Sequence, residues 1–402
     1  MDAENIIWRQ ACGIEEYLIR TRRQIHRYAE VNGTEHKTNA LIRAELDRAG
    51  IPYSPVADTA LIARLDSGRP GPSIVLRADM DALPIRENPN NLAGPRVCRS
   101  EQENTCHACG HDSHTAMLLG SMKLLTQMKD ELCGTVYFCF EQGEECGGSV
   151  EQMIGELSKL PIGTCWGMHV NPDLDAGRIS VDAGPRMAGG AGVDILVRGK
   201  GGHGSRPDLS INPVFAAAAI VTGIPGAFVN QLSPENPVTF GVTTIEGGGA
   251  ANIFADTASI RGSLRFFNDA QGEKAVEIVK NVASHTAAMH RCRVEFGERM
   301  RVFGGPVLND VGCAALAARA LAARLPEGTV ASTPKLYCSE SFGRYLRMAP
   351  GVMAFLGIRN PAVGSGANLH NEFFDIDESV MKIGVTATVS YALAYMREHA
   401  RG

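Results

Sequence analysis

Short β-rich runs alternate with helical stretches through the first 170 residues, and this alternation restricts the chain to few folds. The runs are residues 61–65, 73–77, 135–140 and 166–170. Apolar residues at three- and four-residue spacing predict two helices between residues 4 and 50, and a further helix is predicted over residues 113–128. The pattern favours an α/β fold with a mostly parallel mixed sheet flanked by helices.

The pattern changes after Gly184. A strand at 193–198, a loop at 199–207, a helix from Pro213, strands at 238–245 and 257–266, and a helix at 275–290 predict an inserted ferredoxin-like α+β unit. A helix from Val311, a strand at 352–357 and a helix from Ser379 return to the first pattern. We therefore predict a discontinuous domain of residues 1–186 and 300–402, interrupted by a second domain of residues 187–299.

Composition narrows the classes of partner. The net charge of the 402 residues is -5, with both signs scattered along the chain, so nucleic acid is not expected as a partner. We expect no run to reach the roughly 18 apolar residues of a membrane helix, which predicts a cytoplasmic protein without a membrane partner. The eleven cysteines are odd in number and are expected to be reduced thiols. A small molecule is the expected partner.

The densest chemical pattern is the segment 106–114, which reads CHACGHDSH and lies directly before a predicted helix. Cysteine and histidine are the usual ligands of zinc and related metals. A closed structural zinc site is an alternative, but it needs a second Cys-x-x-Cys element, and none follows. The Cys-x-x-Cys spacing of Cys106 and Cys109 also leaves a thiol-redox protein open.

Three further segments place metal-competent side chains near predicted strand ends. Glu144 and Glu145 follow one strand, His169 closes another, and His370 follows a strand and a glycine-rich loop. Each alone also suits a solvated acidic turn or a core histidine. Together they are expected to meet at one sheet edge, because ligands bind at the carboxyl ends of parallel strands. The candidate ligands, enough for two metals, are Cys109, His111, Glu145, His169 and His370.

The same motifs, in the same order, resemble a known metallopeptidase family. It contains aminoacylases, hippurate hydrolases, auxin-conjugate amidohydrolases and glutamate carboxypeptidases, and the chain looks most like its N-acyl-amino-acid amidohydrolase branch. The segments that carry the resemblance are 76–84, 107–114, 144–145, 169, 199–207 and 370–377. It implies two divalent ions (zinc, manganese, cobalt or nickel) on those five ligands and Glu144 as the general base. The implied reaction cleaves the amide of an N-acyl amino acid or related conjugate into a carboxylic acid and an amino acid.

The resemblance also implies roles outside the ligand set. Asp81 would orient a ligand through a hydrogen bond, or would simply cap the turn before Pro84. The inserted unit resembles a lid and dimerisation domain, which implies a homodimer, and His203 would polarise the substrate carbonyl. Asn252 and Arg265 would hold the substrate carboxylate or carbonyl, or else form a turn and a solvent-facing strand position.

Two alternatives remain open at this point. A dipeptidase or carboxypeptidase-type exopeptidase would use the same ligands, because the difference lies in whether the pocket accepts a free amino group or an acyl chain. A non-catalytic metal-binding relative would keep the fold without the chemistry, although the intact Glu144 argues against it. Residues 140–143, Ala255 and Ser341 depart from the usual pattern of the branch, which leaves the substrate undefined.

Overall fold

A computed structural model of the protein describes residues 6–400. The strands are β1 (Tyr53–Pro55), β2 (Leu61–Asp66), β3 (Ser73–Asp79), β4 (Thr135–Glu141), β5 (Ile162–Asp175), β6 (Ile179–Ser180), β7 (Gly184–Met187), β8 (Gly189–Arg198), β9 (Gly202–His203), β10 (Thr239–Gly247), β11 (Ile253–Phe254), β12 (Thr257–Phe266), β13 (Arg293–Phe296), β14 (Val302–Gly304), β15 (Val307–Asn309) and β16 (Gly351–Arg359). The α-helices are α1 (Ile6–Gly13), α2 (Glu15–Tyr28), α3 (His36–Ala49), α4 (His111–Gln127), α5 (Val150–Leu157), α6 (Pro213–Gln231), α7 (Asp269–Met289), α8 (Val311–Ala322), α9 (Gly343–Met348) and α10 (Met381–His399).

A seven-stranded mixed sheet forms the centre of the first of two compact units. Its order is β1-β2-β4-β3-β5-β16-β6, and the four strands β4, β3, β5 and β16 run parallel. Both edges are antiparallel. Strands β3 and β4 are buried along their full length, as expected for parallel strands covered by helices on both faces. The predicted α/β class is confirmed.

The N-terminal helices differ from the prediction of two. Residues 4 and 5 of the predicted first helix lie outside the described residues, and the remainder forms α1 and α2, which Ile14 separates. Glycine at position 13 favours this break, because glycine loses more backbone entropy in a helix than any other residue. Between residue 6 and β1 the chain therefore forms three helices, and their buried faces join the core of the sheet unit.

Four antiparallel strands and two helices form the core of the second unit. The sheet order is β10-β12-β8-β13, and β14 adds a short pairing to β8. The chain order β8-α6-β10-β12-α7-β13 is the predicted β-α-β-β-α-β pattern. Helices α6 and α7 share one hydrophobic core with the strands, with Ile195, Ile260 and Val279 fully buried. The inserted ferredoxin-like α+β unit is therefore present.

The expectation that no segment reaches the length and apolarity of a membrane span is wrong. Helix α6 is long and apolar enough by length and composition, and 28% of its apolar window is buried within the protein. Ala216, Ile220 and Ile224 pack into the core of the second unit. Phe215 and Val229 are 68% and 84% exposed. We interpret α6 as a core helix of this unit that also presents an apolar outer side.

The boundaries of the compact units differ from the predicted domain boundaries. The second unit comprises Pro185–Val307 and, in addition, Lys335–Gly343. The later segment belongs there because Leu336 donates its N–H to the Arg186 carbonyl and accepts that of Ala188. Main-chain hydrogen bonds between residues so far apart in the sequence leave no local sequence pattern that would predict them. The division of roles into catalysis and lid stays a prediction.

Candidate metal centre

The candidate site lies in the first unit, where several strands end. Asp81 follows β3, Glu144 and Glu145 follow β4, and His169 lies within β5. Helix α4 begins at His111, directly after the cysteine- and histidine-rich loop. Strand β3 pairs in parallel with β4 and with β5, so these side chains lie at one edge of the sheet. Ligand sites of open α/β sheets lie at this edge.

The five predicted ligands come together in two groups that share Cys109. The first group contains Cys109, His111 and His169, and the second contains Cys109, Glu145 and His370. Within each group the potential ligand atoms lie no more than 4.8 Å apart. Residues from four separate segments of the chain therefore converge, with one thiol positioned between two sets of donors.

His169 presents an unprotonated nitrogen to Cys109. Its Nδ1 lies 2.7 Å from the Val170 carbonyl oxygen, so we assign the proton to Nδ1. Burial, assisted by the neighbouring His114, lowers the pKa of His169 to about 3, so the ring is neutral at physiological pH. Its Nε2 lies 3.4 Å from the Cys109 sulfur. A neutral imidazole is the form in which histidine ligates metals, whereas the Cys109 thiol would lose its proton on binding a cation.

Asp81 contacts both His111 and the turn that carries Glu144 and Glu145. Its Oδ1 lies 3.1 Å from His111 Nδ1 and accepts the backbone N–H of Glu144 at 3.0 Å. Its other oxygen accepts the N–H of Glu145 at 3.2 Å. With Nδ1 occupied, His111 keeps Nε2 for a cation, and this atom lies 4.0 Å from Glu145 Oε1. This is the hydrogen bond that the hypothesis for Asp81 requires, while its effect on metal binding stays a prediction.

One buried nitrogen at the centre of the cluster fits a cation better than a hydrogen bond. Among the described residues, His111 Nε2 is buried without a hydrogen-bond partner, whereas the nearby Glu145 Oε1 forms an ion pair with His370 Nε2 at 3.0 Å. An unpaired buried polar atom costs about 1–3 kcal/mol, which a shared cation would remove. Thiolate, imidazole and carboxylate donors suit zinc and the neighbouring transition metals. The residues present therefore fit divalent cations.

Two glycines bracket the turn that carries Glu144 and Glu145. Residues Glu144–Cys146 form a single 3-10 turn, and Gly143 and Gly147 adopt left-handed φ angles of 67° and 69°. A side chain at Gly143 would overlap the Asn32 amide, whereas one at Gly147 would meet no atom within 4 Å. Glycine at both positions avoids the cost of a left-handed backbone with a Cβ, and at position 143 it also leaves room for Asn32.

We expect Gly143→Ala to destabilise the protein more than Gly147→Ala. Left-handed backbone costs a residue with a Cβ about 1–2 kcal/mol, and both variants incur that cost. Only Gly143→Ala adds the overlap with Asn32. Urea unfolding of both variants measures the difference, and equal losses of unfolding free energy would show that Asn32 moves aside.

A third group of candidate ligands, not predicted from the sequence, contains Asp79, His111 and His114. Both ring nitrogens of His114 are already engaged. Nδ1 lies 2.7 Å from Asp79 Oδ1, and Nε2 accepts the N–H of Val170 at 3.0 Å. His114 therefore supports strand β5 and the position of His169 within it. The signal was present in the sequence, since Asp79 precedes Asp81 by two residues and His114 follows His111 by three.

The thiol-redox alternative gains no support from the structure. All eleven cysteines, Cys106 and Cys109 included, are free thiols. Burial raises the pKa of the Cys106 thiol to about 12, and redox-active cysteines need an accessible thiolate. Cys109 instead contacts His169 and belongs to both candidate ligand groups.

The three predicted substrate contacts lie in the second unit. His203 is exposed, and its Nδ1 lies 2.8 Å from the Ser205 hydroxyl. The next residue, Gly204, donates its N–H to the Asn252 carbonyl at 2.7 Å. Arg265 is half-buried and stacks over the Phe303 ring, and its Nη1 has no hydrogen-bond partner among the described residues. His203 and Asn252 are thus neighbours, and their contacts with substrate stay predictions.

The chain belongs to Peptidase family M20/M25/M40, whose family model matches residues 75–394. The sequence-based resemblance is thereby confirmed. Thermostable carboxypeptidase 1 of Saccharolobus solfataricus is similar, being 32% identical over 390 residues that cover 95% of this chain and 96% of the relative. N-acetylcysteine deacetylase of Bacillus subtilis is 32% identical over 368 residues, covering 91% and 93% of the two chains.

A solved structure extends the similarity to three dimensions. The crystal structure of the Bacillus subtilis YXEP protein, a dinuclear metal binding peptidase from the M20 family, superposes with a TM-score of 0.81 at 28% identity. The match covers 96% of this chain and 99% of the YXEP chain. The fold of both units is therefore that of a known metal-binding hydrolase family.

Proposed function

We infer that this chain is a metal-dependent amidohydrolase, which cleaves N-acyl amino acids or related small amide conjugates into a carboxylic acid and an amino acid. The observation that carries this inference is the convergence of five metal-competent side chains with the Glu144 carboxylate beside them. Relatives named for amide hydrolysis and peptidase activity support the reaction type.

We propose that the site holds two divalent ions that share Cys109. One ion would contact Cys109, His111 and His169, and the other Cys109, Glu145 and His370, following the two groups of donors. The dinuclear YXEP protein supports two ions. Zinc, manganese, cobalt and nickel all suit this mixed donor set. Bound divalent ions would supply water activation and polarisation of the amide carbonyl.

Glu144 is proposed to move the proton of the reaction. One of its carboxylate oxygens lies within 4.8 Å of the ligand atoms of His111 and Glu145, so it borders the site without belonging to either group that shares Cys109. It would accept a proton as the water oxygen bonds to the amide carbon. It would then return that proton to the leaving nitrogen as the carbon–nitrogen bond breaks.

The substrate contacts are proposed for His203, Asn252 and Arg265. The unpartnered, buried Nη1 of Arg265 is suited to a substrate carboxylate, because charge-assisted pairing with guanidinium is strong. His203 would donate to the oxygen of the scissile amide.

A substrate screen with and without chelator tests the function. We expect hydrolysis of N-acetyl or N-benzoyl amino acids, no hydrolysis after chelation, and recovery when a divalent metal is added back. Product amino acid, measured by amine detection, reports the reaction. Metal-independent turnover, or no turnover on any N-acyl amino acid or dipeptide, would contradict the assignment.

The exopeptidase alternative has one specific observation in its favour, the similarity to a protein named as a carboxypeptidase. The same screen includes free dipeptides and N-blocked dipeptides. Cleavage confined to peptides would select the exopeptidase over the N-acyl-amino-acid hydrolase.

We also propose a homodimer formed through the second unit. Strand β10 is an edge of its sheet, and α6 exposes Phe215 and Val229. A second copy of the chain would cover this apolar surface, since large exposed apolar patches commonly mark interfaces. Analytical ultracentrifugation should give twice the chain mass of 43.0 kDa, and Val229→Glu should lower it. A monomeric wild-type protein at micromolar concentration would exclude the dimer.

A reducing compartment, the cytoplasm, is proposed as the location. Eleven free thiols, of which Cys146 and Cys338 are exposed, support it because oxidising compartments favour disulfides. Recovery of the native protein in a secreted fraction would contradict this proposal.

A further inference from the structure

His370 has a strained backbone that the surrounding structure must hold. It is one of three non-glycine residues with positive φ among the described residues, at 58°. This conformation is sterically strained for a residue with a Cβ, and such strain persists only where neighbouring contacts fix it. The His370 N–H donates to the Ala108 carbonyl at 2.8 Å, next to Cys109, which fixes the start of the loop. The residues that follow need a second attachment.

That attachment is the Arg96 side chain, whose guanidinium is fully buried. Nε donates to the Asn88 carbonyl, Nη2 to the Glu372 carbonyl and Nη1 to the Phe374 carbonyl, each at 2.8 Å. Glu372 and Phe374 lie two and four residues after His370. A planar group with donors in fixed directions thus joins the loop of His370 to the segment after β3.

The charge of Arg96 is compensated within the same cluster. Its Nη1 lies 3.5 Å from Glu87 Oε1 and 3.4 Å from Asp375 Oδ2. Asn88 adds two contacts to the loop, because its N–H and its side-chain amide reach the carbonyl and the carboxylate of Glu372 at 3.1 and 2.8 Å. The loop of His370 is therefore held by directed hydrogen bonds around a neutralised, buried cation.

We propose that Arg96 is a positioning residue for His370, which keeps that imidazole beside Glu145 and so maintains one of the two metal positions. The proposal rests on the proposed metal-dependent function. Arg96 is not one of the candidate ligands, and it acts through the main chain at Glu372 and Phe374. Lysine cannot replace it fully, because an ammonium group lacks the planar fork that serves three carbonyls.

Metal titration of the metal-free protein tests the proposal. Zinc is titrated by calorimetry into wild type, Arg96→Met and Arg96→Lys, with Arg99→Met as the matched control. Arg99 lies in the same segment but is exposed. We expect Arg96→Met to weaken one of two binding steps by roughly 10–100-fold, the usual effect of losing a partner that orients a ligand. Arg96→Lys should fall between, and Arg99→Met should match wild type.

Weakening of one zinc-binding step alone would indicate that Arg96 positions His370, whereas equal weakening of both steps would indicate general damage to the site. A folded Arg96→Met that binds two zinc ions as wild type does would overturn the proposal and leave the proposed function intact. A wild-type protein that binds no zinc would overturn both. If Arg96→Met does not fold, Arg96→Lys decides, and wild-type affinity at both steps in that variant would overturn the proposal.

Discussion

Glu144→Gln should abolish turnover while both metal ions stay bound. Glutamine keeps the size and shape of the side chain but cannot accept a proton, so the loss should be at least the roughly 10²–10⁴-fold that general-base catalysis contributes. Metal binding should persist because Glu144 belongs to neither donor group that shares Cys109. Steady-state kinetics on the substrate found in the screen, with metal content measured on the same sample, tests both parts.

Glu156→Gln is the matched control, since this carboxylate is 53% exposed and pairs with Lys159. It should leave kcat and KM unchanged. Turnover of Glu144→Gln close to that of wild type would remove Glu144 from the mechanism. Loss of metal from this variant would reassign Glu144 as a ligand.

Cys109→Ala should remove both ions and all metal-dependent activity. Cys109 is the one side chain that the two donor groups have in common. Its loss should weaken both binding steps by more than the roughly 100-fold expected when only an orienting partner is lost. Gel filtration followed by metal analysis should give two ions per chain for wild type and close to none for the variant.

Cys146→Ala is the control for Cys109→Ala, because Cys146 is exposed and neighbours Glu145 in sequence. It should retain both ions and full activity. If Cys109→Ala kept two ions, the shared-thiol arrangement would be wrong. If it kept one ion at wild-type affinity, Cys109 would serve a single position.

The convergence of the candidate ligands was easier to predict from the sequence than their surroundings. Strand ends can be located from local patterns, so Glu145 and His169 could be assigned to one sheet edge before the fold was known. Arg96 could not be assigned, because its three acceptors are backbone carbonyls, two of which lie more than 270 residues later in the chain. Every residue type carries a main-chain carbonyl, so no sequence pattern predicts which carbonyls will accept these hydrogen bonds.

Two other differences from the sequence-based prediction also arise from long-range contacts. The second unit includes Lys335–Gly343 through backbone pairing with residues near β8, which no local periodicity indicates. Helix α6 is apolar on more sides than the core of its unit requires, so composition alone did not predict where it packs. Local propensity determined most elements, and long-range contacts determined their limits.

Anomalous diffraction from crystals grown with zinc tests the central assignment most directly. Two peaks should appear at the zinc edge, both near the Cys109 sulfur at about 2.3 Å, one between His111 and His169 and the other between Glu145 and His370. Peaks remote from Cys109, or no peak in crystals of an active protein, would contradict the assignment.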